Sequence, residues 1–296
     1  MTPTPSHSAS DGQALVRIVP LLFVMLWSTG FIGAKFGLPH AEPLTFLLIR
    51  FLLVCAILLA VALLTGAPWP ETPRQVLHIA VAGLLIHATY LGGVFVAIDR
   101  GLPAGTAALI TGLQPLLTAV VAAPYLGEHV SGRQWLGLLL GFAGVFMVVA
   151  DKASLAEANL GNVLPAFVAV LGITLGTLYQ KRHGGGMDVR SGSVIQFAAS
   201  AVVMALLAPL LETMDVNWTG EFLFALGWLT VVLSLGAISL LILMIRHGAA
   251  SRVASFFYLV PATTALFAYL MFGETLGPLS LSGMVVTSLG VALANR

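Results

Sequence analysis

Apolar residues run in blocks of about 20 along nearly the whole chain, and short polar, glycine or proline segments separate the blocks. A helix needs roughly 20 apolar residues to cross the hydrocarbon core of a bilayer. The breaks carry turn chemistry, as in the segments 37–40 (GLPH) and 184–186 (GGG). The pattern predicts ten transmembrane helices, near residues 16–36, 43–65, 75–98, 103–126, 132–150, 161–181, 191–211, 221–245, 249–272 and 278–295.

The composition strengthens this prediction. The chain is 58% hydrophobic and 8% charged, whereas a soluble domain has roughly 25% charged residues. The net charge of +1 offers no basic surface for nucleic acid, and the single Cys55 excludes an intrachain disulfide. No spacing of His, Cys or acidic residues indicates a metal or another cofactor. We therefore expect an all-α integral membrane protein whose partners are the lipid bilayer and a small-molecule substrate.

The two halves of the chain repeat each other. Adding 146 to a residue number in the first half brings Pro115 onto Pro261, Gly127-Glu128 onto Gly273-Glu274, Gly137 onto Gly283, Gly144 onto Gly290 and Lys35 onto Lys181. A duplication in a hydrophobic chain is typical of transporters built from two structural repeats. It predicts one five-helix repeat over 16–150 and a second over 161–296, after a flexible tail at 1–15 that is rich in Pro and Ser.

The distribution of Lys and Arg predicts the orientation. With a cytoplasmic N-terminus, nine basic residues lie inside: Arg17, Arg74, Arg133, Lys181, Arg182, Arg190, Arg246, Arg252 and Arg296. Four others, Lys35, Arg50, Arg100 and Lys152, lie at the outer side or inside a helix. The excess favours both termini in the cytoplasm. Because five is odd, the two repeats then enter the membrane from opposite sides and form an inverted pair.

Several motifs resemble one family. They are the segment 27–31 (WSTGF) with Lys35, the Pro115 helix that closes on 126–128 (LGE), and its repeat, Pro261 followed by 272–274 (FGE). Together with the five-plus-five repeat they resemble the drug/metabolite transporter superfamily in its EamA-type branch, and within it the YddG-type amino-acid exporters. The resemblance implies a ten-helix bundle around a central cavity, and export of amino acids or related metabolites across the bacterial inner membrane.

Other functions stay open at this point. A broad exporter of aromatic or cationic drugs is the alternative transporter. An intramembrane enzyme is remote, because the chain has no nucleophile–base pair, paired aspartates or HExxH helix. All twelve acidic residues lie in predicted loops or at helix ends, which disfavours proton exchange on a buried acid. The modes of transport that stay open are facilitated diffusion, substrate exchange and proton coupling through His87.

Polar and aromatic side chains near mid-membrane depth are the candidates for substrate binding, because such side chains usually face the bundle interior. We select Trp27, His87, Tyr90, Gln114, Thr177, Tyr179, Ser255 and Tyr258. His87 and Tyr90 are three residues apart and so are expected to share a helix face. They form either a substrate-contacting pair or a structural pair that bonds a neighbouring helix. Trp27 and Tyr258 either line the central cavity or pack between neighbouring helices.

A second group of candidates concerns conformational change. Pro115 and Pro261 are expected to act as hinges, because proline removes a helical hydrogen bond. Lys35 and Lys181 lie at opposite faces, either as gating residues or as side chains that reach the interface. Arg50 could reach the outer face in the same way, or attract anionic substrate groups. The glycine pairs 33/37, 137/141 and 172/176 predict close helix contacts.

Overall fold

The computed structural model describes residues 8–102, 107, 110–150, 159–272 and 276–295, without the side chains of 8–17, 31, 32, 35, 268, 271 and 272. The described residues form helices joined by short non-helical segments, and the one β-type contact among them is an isolated bridge between Ala41 and Val216. The helices are α1 (Ser8–Gly37), α2 (Pro43–Leu64), α3 (Pro73–Asp99), α4 (Gln114–Leu126), α5 (Gly132–Ala150), α6 (Leu160–His183), α7 (Val189–Leu211), α8 (Gly220–His247), α9 (Ala250–Ser255), α10 (Leu259–Phe272) and α11 (Pro278–Ala294).

Within the described residues, six helices are long and apolar enough to cross a membrane: α2, α3, α5, α6, α7 and α8. Shorter apolar helices are Ile18–Gly30 within α1, α4 and α11. Leucines such as Leu64, Leu210 and Leu289 are exposed on the outside of the bundle, where lipid tails would cover them. The prediction of an all-α membrane fold therefore holds for the described residues.

The helices follow the predicted spans with three differences. Helix α1 begins at Ser8 rather than near residue 16, so the predicted flexible tail overlaps helical backbone, and residues 1–7 lie outside the described part. The predicted helix over 103–126 is interrupted by a turn at Gly112 and Leu113. The predicted helix over 249–272 is interrupted by a 3-10 turn, Phe256–Tyr258. Both interruptions come just before the repeated prolines.

Helices α5 and α11 pack through the glycines that the duplication pairs. A Cβ on Gly137 would lie 2.7 Å from the carbonyl oxygen of Gly290, and one on Gly144 would lie 2.6 Å from that of Gly283. The contact is reciprocal, because Gly137 corresponds to Gly283 and Gly144 to Gly290. As residue numbers rise along α5, the contacting numbers fall along α11, so the two helices are antiparallel.

The ends of α2 and α7 are tied together by two glutamates. Glu212, which follows α7, accepts hydrogen bonds from the backbone N–H groups of Leu44 and Thr45, both at 2.7 Å. Glu42, which precedes α2, accepts from the backbone N–H of Thr213 at 2.7 Å. Glu212 satisfies amide donors at the start of α2 that the helical ladder leaves free, and it interacts favourably with the α2 dipole. Glu42 satisfies an amide donor just after the end of α7.

The N-terminal end of α7 is capped by the side chain of Asp188, the residue before the helix. The Asp188 carboxylate accepts from the backbone N–H of Arg190 at 2.9 Å and pairs with the Arg190 guanidinium at 2.9 Å. These hydrogen bonds to Arg190 hold the pKa of the Asp188 carboxyl below its usual range. Both ends of α7 are therefore held by carboxylates.

Replacing Glu212 by Ala should destabilise the protein and lower its free energy of unfolding by about 2 kcal/mol, because two backbone donors and the Thr45 hydroxyl lose a charged acceptor. The measurement is the apparent midpoint of thermal unfolding of the purified protein in detergent. Glu221→Ala is the matched control, because the Glu221 side chain is 69% exposed and its ion pair among the described residues is an exposed one with His40. Equal midpoints for the two variants would contradict this role of Glu212.

Candidate functional site

Two cavities meet at the side chains of Trp27 and Tyr90, which line both of them. The first cavity is lined by Trp27, Gly30, Ala34, Arg50, Tyr90, Leu91, Val94, Phe95, Leu229, Leu233 and Ile238. The second cavity is lined by Trp27, Tyr90, Thr111, Gly112, Gln114, Ile173, Phe257, Val260 and Pro261. Both cavities draw residues from the two halves of the chain.

Aromatic rings form the wall between the cavities. The rings of Trp27 and Tyr90 are stacked, with centroids 6.2 Å apart. Phe257 meets Trp27 edge to face at 5.2 Å, and Phe23 lies 5.1 Å from both Trp27 and Phe257. The resulting surface is apolar and rigid, and it suits the hydrocarbon part of a small substrate.

The third helix of each half carries a π-helical segment beside the first cavity. In α3 the segment is Leu84–Thr89, directly before Tyr90, and in α8 it is Leu229–Ala237, which contributes Leu229 and Leu233 to the cavity wall. Adding 146 to 84–89 gives 230–235, so the two segments occupy corresponding positions. An extra residue in a helical turn redirects the side chains that follow, and such segments are frequent at functional sites.

The proline breaks bring two helices to the second cavity. Gly112, in the turn before α4, and Gln114, the first residue of α4, both line this cavity. In the other half Phe257 belongs to the 3-10 turn before α10, and Pro261 follows it. The predicted hinge residues Pro115 and Pro261 thus lie at real interruptions of their helices, although Pro261 alone of the two lines the cavity.

Gln114 is a predicted site residue that the structure places in the second cavity. It is buried, and neither its amide oxygen nor its amide nitrogen has a hydrogen-bond partner among the described residues. A buried amide without partners is costly, by about 1–3 kcal/mol for each unsatisfied group. A polar substrate group in the second cavity would supply these hydrogen bonds.

Arg50 is the charged residue of the site. It is 3% exposed, it lines the first cavity, and its Nε donates to the Ser234 hydroxyl at 3.0 Å. No carboxylate within the described residues forms an ion pair with it. The sequence showed that Arg50 lies within a predicted span, but not which way its side chain points. A side chain that reaches the membrane interface and one that faces the bundle interior can occupy the same sequence position.

His87 and Tyr90 lie in different surroundings, contrary to the expectation that they share a face. Tyr90 lines both cavities, whereas the His87 ring stacks on Phe197 with centroids 4.0 Å apart and lies 6.3 Å from Phe51. His87 is fully buried, and neither ring nitrogen has a hydrogen-bond partner in the described part of the chain. The π-helical segment that contains His87 separates the two residues, because the i, i+3 rule assumes regular α-helical turns.

Four other predicted residues lie away from both cavities: Thr177, Tyr179, Ser255 and Tyr258. The Thr177 hydroxyl donates to the carbonyl of Ile173 in its own helix at 2.7 Å. The Tyr179 hydroxyl lies 2.6 Å from His78 Nδ1, near the end of α6. Ser255 donates to the carbonyl of Arg252 and accepts from the Asn295 amide, both at 2.7 Å. These three side chains have partners inside the helical framework.

Tyr258 is fully buried against α5, where a Cβ on Gly141 would lie 2.5 Å from its ring. Its neighbour Phe257 faces the second cavity instead. The 3-10 turn Phe256–Tyr258 turns three consecutive aromatic residues to different sides, and only the tertiary structure distinguishes them. The residues that the sequence missed at this site are therefore Phe257 and Ile173, together with the small and aliphatic lining of the first cavity.

Lys181 makes a specific contact outside the cavities. Its Nζ donates to the carbonyl of Gly248 at 2.7 Å, at the C-terminal end of α8. Glu128 accepts from the backbone N–H of Ala250 at 3.0 Å, so the two charged residues hold the turn between α8 and α9. The side chain of the predicted residue Lys35 lies outside the described residues.

Comparison with known proteins identifies relatives over more than nine-tenths of the chain. The sequence model of the EamA-like transporter family matches residues 16–150 and again residues 161–296. The chain is 28% identical to "Uncharacterized transporter YvbV" of Bacillus subtilis, over 92% of this chain and 88% of that protein. It is 25% identical to "Uncharacterized inner membrane transporter YedA" of Escherichia coli K12, over 95% and 91% of the two chains.

A third relative carries a functional name. The "Probable amino-acid metabolite efflux pump" of Escherichia coli K12 is 25% identical, over 93% of this chain and 92% of that protein. A solved crystal structure superposes with a TM-score of 0.78 at 18% sequence identity, covering 95% of this chain and 97% of its own. That likeness shows the same fold.

Proposed function

This chain belongs to the EamA-like transporter family, and from that premise we propose that it exports amino acids or related small metabolites across the bacterial inner membrane by alternating access. The proposal includes ten transmembrane helices in two inverted five-helix repeats, with both termini in the cytoplasm. It is supported by the efflux-pump name of one relative and by the inner-membrane name of another.

The observation that carries the proposal is the symmetry of the second cavity. Three pairs of its lining residues are related by the 146-residue offset: Trp27 with Ile173, Thr111 with Phe257, and Gln114 with Val260. A cavity lined by corresponding residues of both halves lies on the axis that relates them. In each pair the chemistry differs, so the framework is symmetric while the binding surface is not.

The packing of α5 against α11 supports an inverted arrangement of the halves. Corresponding helices that meet antiparallel through reciprocal contacts are related by a two-fold axis perpendicular to their length. For helices that cross a bilayer, such an axis lies in the membrane plane. Two halves related in this way can exchange an inward-open and an outward-open arrangement around a site near the midplane.

The paired π-helical segments and proline breaks give each half the same mechanical elements. Lys181 and Glu128 both form hydrogen bonds at the turn between α8 and α9, and we assign to these contacts the closure of one end of the bundle. The 146-residue offset relates Lys181 and Glu128 to Lys35 and Glu274, although Glu274 and the Lys35 side chain lie outside the described residues. From the duplication we propose that this second pair forms the equivalent closure. Alternation between the two closures is the gating role that we assign to the lysines.

The test is transport by the full-length protein in proteoliposomes. We expect it to move at least one member of a panel of labelled amino acids faster than protein-free liposomes do, and a pH gradient imposed in parallel distinguishes proton coupling from exchange or facilitated diffusion. Ethidium serves as the probe for the alternative, a drug exporter, which the aromatic wall of Trp27, Tyr90 and Phe257 also suits. Movement of ethidium but of no amino acid would replace the proposal by that alternative.

A further inference from the structure

Arg50 is a buried charge in the wall of the first cavity. The binding of an apolar group would not require it. It lies seven residues into α2, roughly 10 Å along the helix axis from the first residue of α2. An arginine is protonated at any physiological pH, and a buried charge without a partner is strongly unfavourable. Such residues within spans are generally functional.

The surroundings of Arg50 leave most of its guanidinium unused. Its one hydrogen bond among the described residues runs from Nε to Ser234, and the remaining lining of the first cavity is apolar apart from Tyr90. Ser234 belongs to the π-helical segment of α8, so the second half of the chain orients an arginine of the first half. The two terminal amino groups are left for a ligand in the cavity that Arg50 lines.

We propose that Arg50 binds the carboxylate of the transported molecule, so that the substrates are small carboxylates with an apolar body rather than amines or cationic drugs. This inference rests on the proposed function. A guanidinium presents two parallel N–H donors that match the two oxygens of a carboxylate. The stacked rings of Trp27 and Tyr90 contact the apolar body, and the unsatisfied amide of Gln114 lies in the adjoining cavity for the polar end of an amino acid.

The second half of the chain has no equivalent charge. Gln196 stands at the position that corresponds to Arg50, and its side-chain nitrogen donates to the Gln180 amide oxygen at 2.7 Å. It is fully buried and lines neither cavity. The protein therefore has one carboxylate site among its described residues, placed off the symmetry axis toward the end of the bundle where α2 begins.

The experiment compares three competitors of labelled phenylalanine in proteoliposomes: unlabelled phenylalanine, 3-phenylpropionate, which lacks the ammonium, and 2-phenylethylamine, which lacks the carboxylate. With the wild-type protein, we expect 3-phenylpropionate to compete and 2-phenylethylamine to compete at least ~30-fold more weakly, because truncating one member of a buried charge pair has a large effect on binding. In Arg50→Gln, the affinity for phenylalanine should fall by ~30-fold or more, and the preference for the acid should disappear.

Three further variants isolate the role of the guanidinium. Arg100→Gln removes the same charge from an exposed position at the end of α3 and should leave competition unchanged. Ser234→Ala keeps the charge but removes its positioning contact, and should weaken phenylalanine binding by a few-fold while the acid remains preferred. If Arg50→Gln gives no monodisperse protein, Arg50→Lys decides: roughly tenfold weaker binding with the acid still preferred supports the proposal, and loss of the preference overturns it.

The proposal is also overturned if the wild-type protein binds the amine as well as the acid, or if folded Arg50→Gln transports phenylalanine normally. Failure of the proposed function can be told apart from these outcomes. If the wild-type protein moves no amino acid, calorimetric titration of the purified protein with 3-phenylpropionate still tests Arg50. Binding to the wild type and not to Arg50→Gln supports the site, and binding to neither overturns it.

Discussion

Replacing Gly290 by Ala is expected to cost about 1–3 kcal/mol of folding free energy, the usual effect of inserting a methyl group where a packed core has no room. The new Cβ would lie 2.7 Å from the carbonyl oxygen of Gly137 and 2.7 Å from the Cα of Gly141. Both are backbone atoms of α5, so no side chain can rotate to make space and the two helices must separate. Small residues are what allows helices in a membrane to approach so closely.

The measurement is the apparent midpoint of thermal unfolding in detergent, together with the yield of monodisperse protein. Gly132→Ala is the matched control, because a Cβ there meets nothing within 4 Å. The duplication adds an internal check, since Gly144→Ala lies at the corresponding position and meets Thr287 and Gly283. A midpoint for Gly290→Ala equal to that of Gly132→Ala would show that α5 and α11 leave room for a methyl group at Gly290, and would contradict the prediction.

Replacing Trp27 by Ala is expected to reduce transport by roughly tenfold or more, equivalent to a loss of about 1.4 kcal/mol of substrate binding. The Trp27 ring lines both cavities and contacts Phe23, Tyr90 and Phe257. Its removal joins the two cavities and takes away the surface against which the apolar body of the substrate would lie. The readout is the initial rate of amino-acid uptake into proteoliposomes.

A truncated tryptophan also destabilises a folded protein, by about 3–5 kcal/mol at a buried site, so the loss of transport needs a control for folding. Trp27→Phe keeps an aromatic ring at the position and should retain most of the stability while losing part of the transport. Trp218→Ala removes an exposed tryptophan outside the cavities and should leave uptake unchanged. Uptake at the wild-type rate in Trp27→Ala would remove this residue from the substrate path.

The hydrophobic pattern was sufficient for the membrane class and for the positions of most helices. Runs such as α2 and α7 are bounded by Pro43 and by Asp188, whose effects on helix ends are local. The family expected from the repeated Pro and Gly-Glu motifs is confirmed, because the EamA-like model matches both halves. The count of ten crossings and the inversion of the halves stay predictions.

The candidate site was less predictable. Trp27, Tyr90, Gln114 and Pro261 line the cavities, whereas Tyr179, Ser255 and Tyr258 do not. Two departures from the expected placement arise where the backbone leaves the regular α-helix: in the π-helical segment that contains His87 and in the 3-10 turn that contains Tyr258. In these segments, side-chain direction no longer follows the 3.6-residue period on which the assignments rested.

The sequence by itself determined that this is a helical membrane protein, that its two halves are copies, and to which family it belongs, because length, apolarity and repetition are properties of the chain. Only the tertiary structure decided which side chains meet at the site. In a bilayer both the lipid-facing and the inward-facing sides of a helix are apolar, so the hydrophobic pattern cannot tell inside from outside. The position of Arg50 beside Trp27 and Tyr90 follows from how α1, α2, α3 and α8 pack together, and no local pattern encodes it.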